Sequence, residues 1–194
     1  YWTKIAQNNP TELTAKVNPC NDFTQMDADF IMKYANENTE ILDLASSTGL
    51  TINKYYRKVK HIEAVELYKE FTKFIEKTDK ISIVNCDVKD YNSDKKFDLV
   101  NMFGITCYFN DEEVKSLYKK YQSYLRPNGK IIVKSQFGVE EDVIVSGFSK
   151  ELQTDYFCCY RHLPKEVEIL KSVGYKDIKT FDIYPPECNR WSNT

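Results

Sequence analysis

Apolar residues along this chain alternate between two patterns: short continuous runs, and longer stretches in which they recur three or four positions apart. The runs at 40–45, 61–66, 81–85, 97–103 and 130–136 have the length and β-branched content of buried parallel strands. Between them, Leu50, Ile52, Tyr55 and Tyr56 predict a helix over 48–58, and Phe71, Phe74 and Ile75 predict another over 68–78. Asn110 followed by Glu113 reads as a capping box opening a helix that runs to about Leu125, where Pro127 and Gly129 stop it. Leu163, Val167, Leu170 and Val173 set a last helix, with Pro164 in its first turn and Gly174 just past its end. A sixth strand is expected over 177–184. At the other end, Trp2 and Ile5 lie one turn apart, and Phe23, Met26, Phe30, Ile31 and Tyr34 form a helical stripe from Asp22 to about Asn36. Asn8-Asn9-Pro10 and Asn18-Pro19 mark breaks.

Strands and helices in strict alternation imply an α/β fold: a doubly wound, mostly parallel sheet with helices on both faces and right-handed crossovers. Ligands of such sheets sit at the carboxyl ends of the strands. The whole chain, 1–194, reads as one domain: a helical N-terminal cover (1–38), a ligand-binding core (39–136), an insertion without clean period (137–160), and a last helix and strand (161–194).

A length of 194 residues suits one such domain, and 42% hydrophobic with 29% charged residues is ordinary for a globular protein. A formal charge of -2 supplies no global attraction for nucleic acid or an anionic membrane, so neither is expected as a partner. The six cysteines form no C-x-x-C pair, which argues against a zinc or redox motif and for reduced thiols in a cytoplasmic protein. Cys86 and Cys107 read as small buried hydrophobes, and the adjacent Cys158 and Cys159 are poorly placed to bridge each other. Glu140, Glu141 and Asp142 read as a solvated charge run, and no metal site is expected. No apolar run approaches transmembrane length.

The candidate chemistry begins at the end of the first strand. Ile41-Leu42-Asp43-Leu44 runs into Ala45-Ser46-Ser47-Thr48-Gly49, small residues that let backbone approach a ligand before a helix opens with its N–H groups and positive dipole end toward the same space. Glu66 ends strand two, where it can accept hydrogen bonds from both hydroxyls of a ribose; the plainer reading is a carboxylate at the start of the next helix. Asp87 ends strand three and can accept an adenine amino group, with the Val88 N–H nearby; the alternative is a solvated turn aspartate. Asp43, inside strand one, must be hydrogen-bonded, and ordering the loop is its expected task.

The set Ile41 to Gly49, Ala64-Val65-Glu66-Leu67, Asn85-Cys86-Asp87-Val88, Phe97-Asp98-Leu99-Val100 and Leu125-Arg126-Pro127-Asn128-Gly129-Lys130 resembles class I S-adenosylmethionine-dependent methyltransferases over about 40–135. One departure stands out. Ala45 and Ser47 occupy positions where the family usually has glycine, and only Gly49 remains. The resemblance implies S-adenosylmethionine as cofactor and S-adenosylhomocysteine as product. Asp43 and Ala45, Ser46, Ser47, Thr48 and Gly49 would underlie the methionine part, Glu66 and Leu67 would hold the ribose, and Cys86, Asp87 and Val88 the adenine. Met102, Phe103 and Gly104 would line the sulfonium side, and Tyr1 would close over it with Trp2.

For the acceptor, the resemblance points to the insertion. His162 is the candidate general base and Tyr108 a candidate acceptor contact, each with a plain packing or capping role as its alternative. Tyr160 and Arg161 are candidates for acceptor binding, Arg161 toward an anionic group unless it is simply salt-bridged. The expected acceptor is a hydroxyl of a sugar or sugar-containing cell-surface precursor, by O-methylation in polysaccharide biosynthesis. A phosphate or phosphoramidate oxygen, an amine, or a non-catalytic scaffold role are the alternatives. Members of the family usually end with a seventh strand, so the native chain is expected to continue beyond Thr194.

Overall fold

The computed structural model describes residues 1–8, 10–15, 23–150 and 154–185. Five strands, β1 (Glu40–Leu44), β2 (His61–Val65), β3 (Ile81–Val84), β4 (Phe97–Phe103) and β5 (Leu125–Lys134), form one sheet in the order β3-β2-β1-β4-β5. Every pairing is parallel, as the continuous apolar runs predict. Strand order reverses between β1 and β4, which opens a crevice at their carboxyl ends.

Side chains alternate across this sheet to make two cores. Leu42, Leu44, Val65, Val100 and Met102 pack with Val114, Leu117, Tyr118 and Tyr121 of the long helix α5 (Asp111–Gln122) and Leu170 of α6 (Leu163–Ser172). Ile41, Ile62, Ala64 and Leu99 face the other way, onto Ala28 and Ile31 of α2 (Thr24–Ile31) and Ile52 and Tyr55 of α3 (Ile52–Tyr55). The predicted capping box is present at Asn110 and Glu113, and Gly174, at φ +103°, terminates α6.

Several expectations change. The helices predicted over 48–58 and 68–78 shrink to single turns: α3 with a 3-10 turn at Tyr56–Lys58, and α4 (Lys69–Thr72). Their apolar residues reach the core through turns instead, Ile75 from beyond α4 and Val59 from beyond α3. The strand predicted over 177–184 is not formed. Lys179, Thr180 and Asp182 are exposed, and the aromatic side chains of this stretch turn to α2, Phe181 onto Phe30 and Tyr184 stacked on Phe23 just before it. The insertion holds structure that its sequence did not show: an antiparallel hairpin of β6 (Val143–Ser149) and β7 (Thr154–Tyr160). Asn9, Asn18-Pro19, Cys20, Asp22, Cys188 and the residues after Pro185 lie outside the described residues. Among the described residues no helix is long and apolar enough to cross a membrane.

The candidate cofactor and acceptor site

The turn after β1 adopts the backbone of a glycine loop without its glycines. Ala45 and Ser47 have φ of +59° and +52°, and Gly49 has +77°. Two hydrogen bonds hold the turn onto β2: Ser46 N–H to the Val65 carbonyl (3.1 Å) and Ser47 N–H to Glu66 Oε2 (2.9 Å). The other Glu66 oxygen accepts the Tyr68 N–H at 3.0 Å. Burial raises the Glu66 pKa, and the Tyr68, Ser47 and Leu67 N–H groups pull it back. Gly49 is required twice over: a Cβ there would lie 2.7 Å from Ile75 Cγ1, at a φ that L residues resist. The expected helix dipole is missing, because the first helical turn begins only at Ile52. Backbone approach, not a helix N-terminus, is what the loop offers a ligand.

Left-handed backbone costs an L residue about 1–2 kcal/mol, offset in part by the greater entropy that glycine loses on folding. Ala45→Gly and Ser47→Gly are therefore each expected to raise stability by roughly 0.5–1 kcal/mol, because glycine takes this φ freely. Urea denaturation of the single and double variants measures this, and unchanged midpoints would mean the loop is unstrained.

Beneath the loop, Asp43 pairs in register with Asn101 of β4, whose Nδ2 donates to Asp43 Oδ2 at 3.2 Å and lies 3.4 Å from the Tyr55 hydroxyl. Burial lifts the Asp43 pKa to about 6, against the Ser46 and Asn101 side chains; Glu66 adds repulsion and Lys134 attraction. Asn101 was absent from the sequence reading, although a polar residue amid the apolar run Leu99-Val100-Asn101-Met102 marks it. Asn101 Oδ1 is buried and has no hydrogen-bond partner among the described residues.

The remaining cofactor candidates line adjacent strand ends. Asp87 Oδ1 accepts the Lys89 N–H (2.8 Å) in a turn after β3, with Cys86 half-buried and Val88 buried beside it. Leu67 is 48% exposed at the end of β2. Met102 packs inward against α5, so only its backbone faces the crevice, whereas Phe103 carries Lys134 Nζ 4.8 Å over its ring. Gly104, at φ +66°, is exposed. Thr48, fully buried, donates to the Glu12 carbonyl (2.7 Å) and so ties the N-terminal cover to the loop.

That cover also meets the hairpin. Tyr1 packs edge-on against Tyr156 of β7 at 6.2 Å, and Trp2 of α1 (Trp2–Gln7) against Phe71 at 6.2 Å. Burial and Cys107 raise the Tyr108 pKa, and Trp2 acts against them. Tyr156 and Tyr160 share one face of β7 with Cys158. Tyr156 escaped the sequence reading because Val143-Ile144-Val145 and Phe157 break the period-2 pattern that betrays a strand.

Two acceptor candidates sit elsewhere than expected. Arg161 is 2% exposed and faces inward: Nε donates to Asp111 Oδ1 (2.8 Å), Nη1 to the Thr106 carbonyl (3.0 Å) and Nη2 to the Phe109 carbonyl, with Glu166 Oε2 at 3.6 Å. It is salt-bridged in the interior, so the expectation of an anion-binding arginine is corrected. His162 occupies the N-cap position of α6 without a side-chain cap; its N–H donates to Asp142 Oδ1 (2.7 Å), so the charge run is partly engaged and not wholly solvated. His162 bridges to Gly138, beyond the carboxyl end of β5, on the crevice side of the sheet. A cavity of about 280 Å³ at the opposite edge, lined by Glu40, His61, Lys95, Lys96, Phe97 and Arg126, is remote from all of these groups, and there Arg126 is engaged by Glu40 and Asp98.

Comparisons with known proteins agree with this geometry. Residues 41–129 match the family described as a methyltransferase domain. The chain is similar in structure to DhpI bound to S-adenosylhomocysteine, with 17% identity, TM-score 0.74, and coverage of 94% of this chain and 89% of that one. The glycopeptide N-methyltransferase MtfA complexed with S-adenosylmethionine is similar at 14% identity and TM-score 0.64, over 81% of this chain and 85% of that one. Phosphoethanolamine N-methyltransferase 1 of Haemonchus contortus, bound to phosphoethanolamine and S-adenosylhomocysteine, is similar at 18% identity and TM-score 0.62, over 70% of this chain and 31% of that one. A comparison with curated proteins finds no match. The parallel sheet and its crevice define a Rossmann-like methyltransferase fold. Within that fold, residues 41–129 match a methyltransferase domain, and the similar structures include ones bound to S-adenosylmethionine or S-adenosylhomocysteine.

Proposed function

We propose that this chain is an S-adenosylmethionine-dependent methyltransferase and that it methylates a hydroxyl of a neutral, sugar-like small molecule. The cofactor supplies an electrophilic methyl group when bound, and the protein's task is to place the two reactants in line, which contributes on the order of 7–11 kcal/mol in favourable cases. The positive-φ turn admits the methionine part, Glu66 accepts from the ribose hydroxyls with its remaining lone pairs, and Asp87 and the Val88 N–H meet the adenine. A cationic sulfonium near Asp43 favours the charged form of that carboxylate.

The observation that carries the acceptor reading is the wall itself. Tyr1, Trp2, Tyr108 and Tyr156 gather where the N-terminal cover meets the hairpin, while Arg161 is occupied in the interior. Aromatic faces pack on the C–H faces of a sugar ring and phenol hydroxyls exchange hydrogen bonds with its hydroxyls, whereas a phosphate needs a free cation. Burial keeps the Tyr108 phenol protonated, so it orients the acceptor and leaves proton removal to His162. The hairpin serves as the acceptor-side cover, in a cytoplasmic enzyme.

Incubation with methyl-labelled S-adenosylmethionine and a panel of nucleotide sugars, free sugars, phosphate monoesters, phosphonates and primary amines tests this. Label on a sugar oxygen is expected, with Tyr156→Phe raising KM for that sugar several-fold. Label on a phosphate, phosphonate or amine group overturns the acceptor class, and a folded protein that binds neither S-adenosylmethionine nor S-adenosylhomocysteine in calorimetry reverts to the scaffold reading.

A further inference from the structure

The turn that follows β3 is built onto α5. The Asp87 carbonyl accepts the N–H groups of Asp90 and Tyr91 at 2.9 and 3.0 Å, which closes residues 87–91 on themselves. Against this turn α5 sets Leu117 and Tyr121, which share one face of the helix, and Tyr124 just past its end. The rings of Tyr91, Tyr121 and Tyr124 lie between 5.3 and 6.2 Å apart. Their hydroxyls differ in what they reach. Tyr124 lies 3.4 Å from both the Tyr91 carbonyl and Asn92 Oδ1, and Tyr118, one turn back on α5, bonds to Glu166. Tyr121 alone among them donates to the Val88 carbonyl, at 2.6 Å.

That contact holds one end of a peptide whose other end holds Asp87. The N–H of the same 88–89 peptide donates to Asp87 Oδ1 at 2.8 Å. A trans peptide points its carbonyl and its N–H in opposite directions, so fixing the carbonyl on the α5 side aims the N–H at the carboxylate on the other. A donor on the carbonyl also polarises the amide and strengthens its N–H. Lys120 Nζ is a weaker hold, 3.4 Å from the Val88 carbonyl and drawn to the Lys89 carbonyl at 2.6 Å. Tyr121 is fully buried, and burial keeps its phenol protonated and able to donate. Asp87 is half-buried, and engaging Oδ1 sets the direction of its second oxygen.

We propose that Tyr121 is a positioning residue for the cofactor's adenine: through the 88–89 peptide it fixes the Asp87 carboxylate so that the second oxygen accepts from the adenine amino group. The inference rests on the reading that Asp87 meets the adenine, and it adds a residue of α5 that is itself buried away from the ligand.

Calorimetric titration with S-adenosylhomocysteine and with its purine analogue, in which hydrogen replaces the adenine amino group and the ring nitrogens are kept, isolates this contact. The wild type is expected to prefer S-adenosylhomocysteine by about 10- to 100-fold, the range for a hydrogen bond to a charged group. Asp87→Ala is expected to abolish the preference, and Tyr121→Phe, which keeps the packed ring, to cut it about fivefold or more. A packing role alone would weaken both ligands equally and leave the ratio unchanged. Added to Asp87→Ala, Tyr121→Phe should not move the ratio further, because the hydroxyl acts through that carboxylate. Amide exchange of the wild type needs no variant: the Lys89 N–H is expected to be protected about tenfold or more over an unstructured chain, and an unprotected one overturns the relay. Equal ratios in the wild type and Tyr121→Phe overturn this inference alone. A wild type that binds neither ligand overturns the cofactor reading, and one that binds both alike overturns the adenine contact of Asp87; either result overturns this inference with it.

Discussion

Replacing Arg161 with methionine is expected to lower stability by about 3–5 kcal/mol, the usual consequence of leaving a buried partner unpaired. Arg161 gathers four groups from three parts of the chain: Asp111 at the start of α5, the Thr106 and Phe109 carbonyls, and Glu166 in α6. Methionine fills similar volume but removes the guanidinium donors; Asp111 keeps Lys165 and the Thr106 carbonyl keeps the Phe109 N–H, while Glu166 loses its cation. Glu166, 2% exposed, retains only the Tyr118 hydroxyl on Oε1. Burial already raises its pKa, and Arg161 is among the influences that lower it. In the variant that pKa rises further, so the folded state binds a proton that the unfolded state releases, and stability falls as pH rises through that interval. The deficit of Arg161→Met is thus expected to be largest at neutral pH and to shrink toward pH 5. Adding Glu166→Gln removes the orphaned charge and is expected to recover part of the loss. Urea or thermal unfolding followed by circular dichroism checks this, with a midpoint drop of roughly 10 °C or more for the single variant. A change under 1 kcal/mol would show that Arg161 is dispensable to the fold and reopen its role toward an acceptor.

This arginine also marks where the sequence stops being legible. The central strands β1, β2 and β4 could be read because each is a short apolar run buried on both faces, and α5 because its cap and its period agree. β3 and β5 could be read from their apolar runs alone, and β5 starts at Leu125, five residues before the run that predicted it. From the strand ends the crevice followed, since parallel strands place Gly49, Glu66, Asp87 and Gly104 on one rim. What could not be read depends on contacts between residues far apart in sequence. Arg161 and Asp111 are 50 positions apart, and nothing local distinguishes a buried arginine from an exposed one. The helices over 48–58 and 68–78 carry enough apolar residues for their period, but the core takes those residues from turns. Ala45 and Ser47 looked like a departure from a glycine loop, yet Glu66 and Val65 hold the backbone in the glycine conformation regardless.

That tether is why Glu66→Ala is expected to weaken S-adenosylhomocysteine binding by about 10²- to 10⁴-fold, since two hydrogen bonds to a charged group are each worth about 1.5–3 kcal/mol. Two effects combine in that loss. The carboxylate positions the loop through the Ser47 and Tyr68 N–H groups, and on the reading above it also accepts from the ribose. They separate by pairing the variant with a ligand lacking the ribose 2′-hydroxyl. If Glu66 touches the ribose, the wild type should bind the deoxy ligand about tenfold or more weakly, while Glu66→Ala should scarcely distinguish the two ligands. If Glu66 only holds the loop, both proteins should show the same preference. Glu66→Gln refines the test, because its one carbonyl oxygen can keep a single N–H contact and its NH₂ cannot accept. It should bind with intermediate affinity. Calorimetric titration of the three proteins with both ligands gives all six constants, and equal discrimination throughout would move the ribose contact away from β2 and leave Glu66 as the residue that shapes the loop.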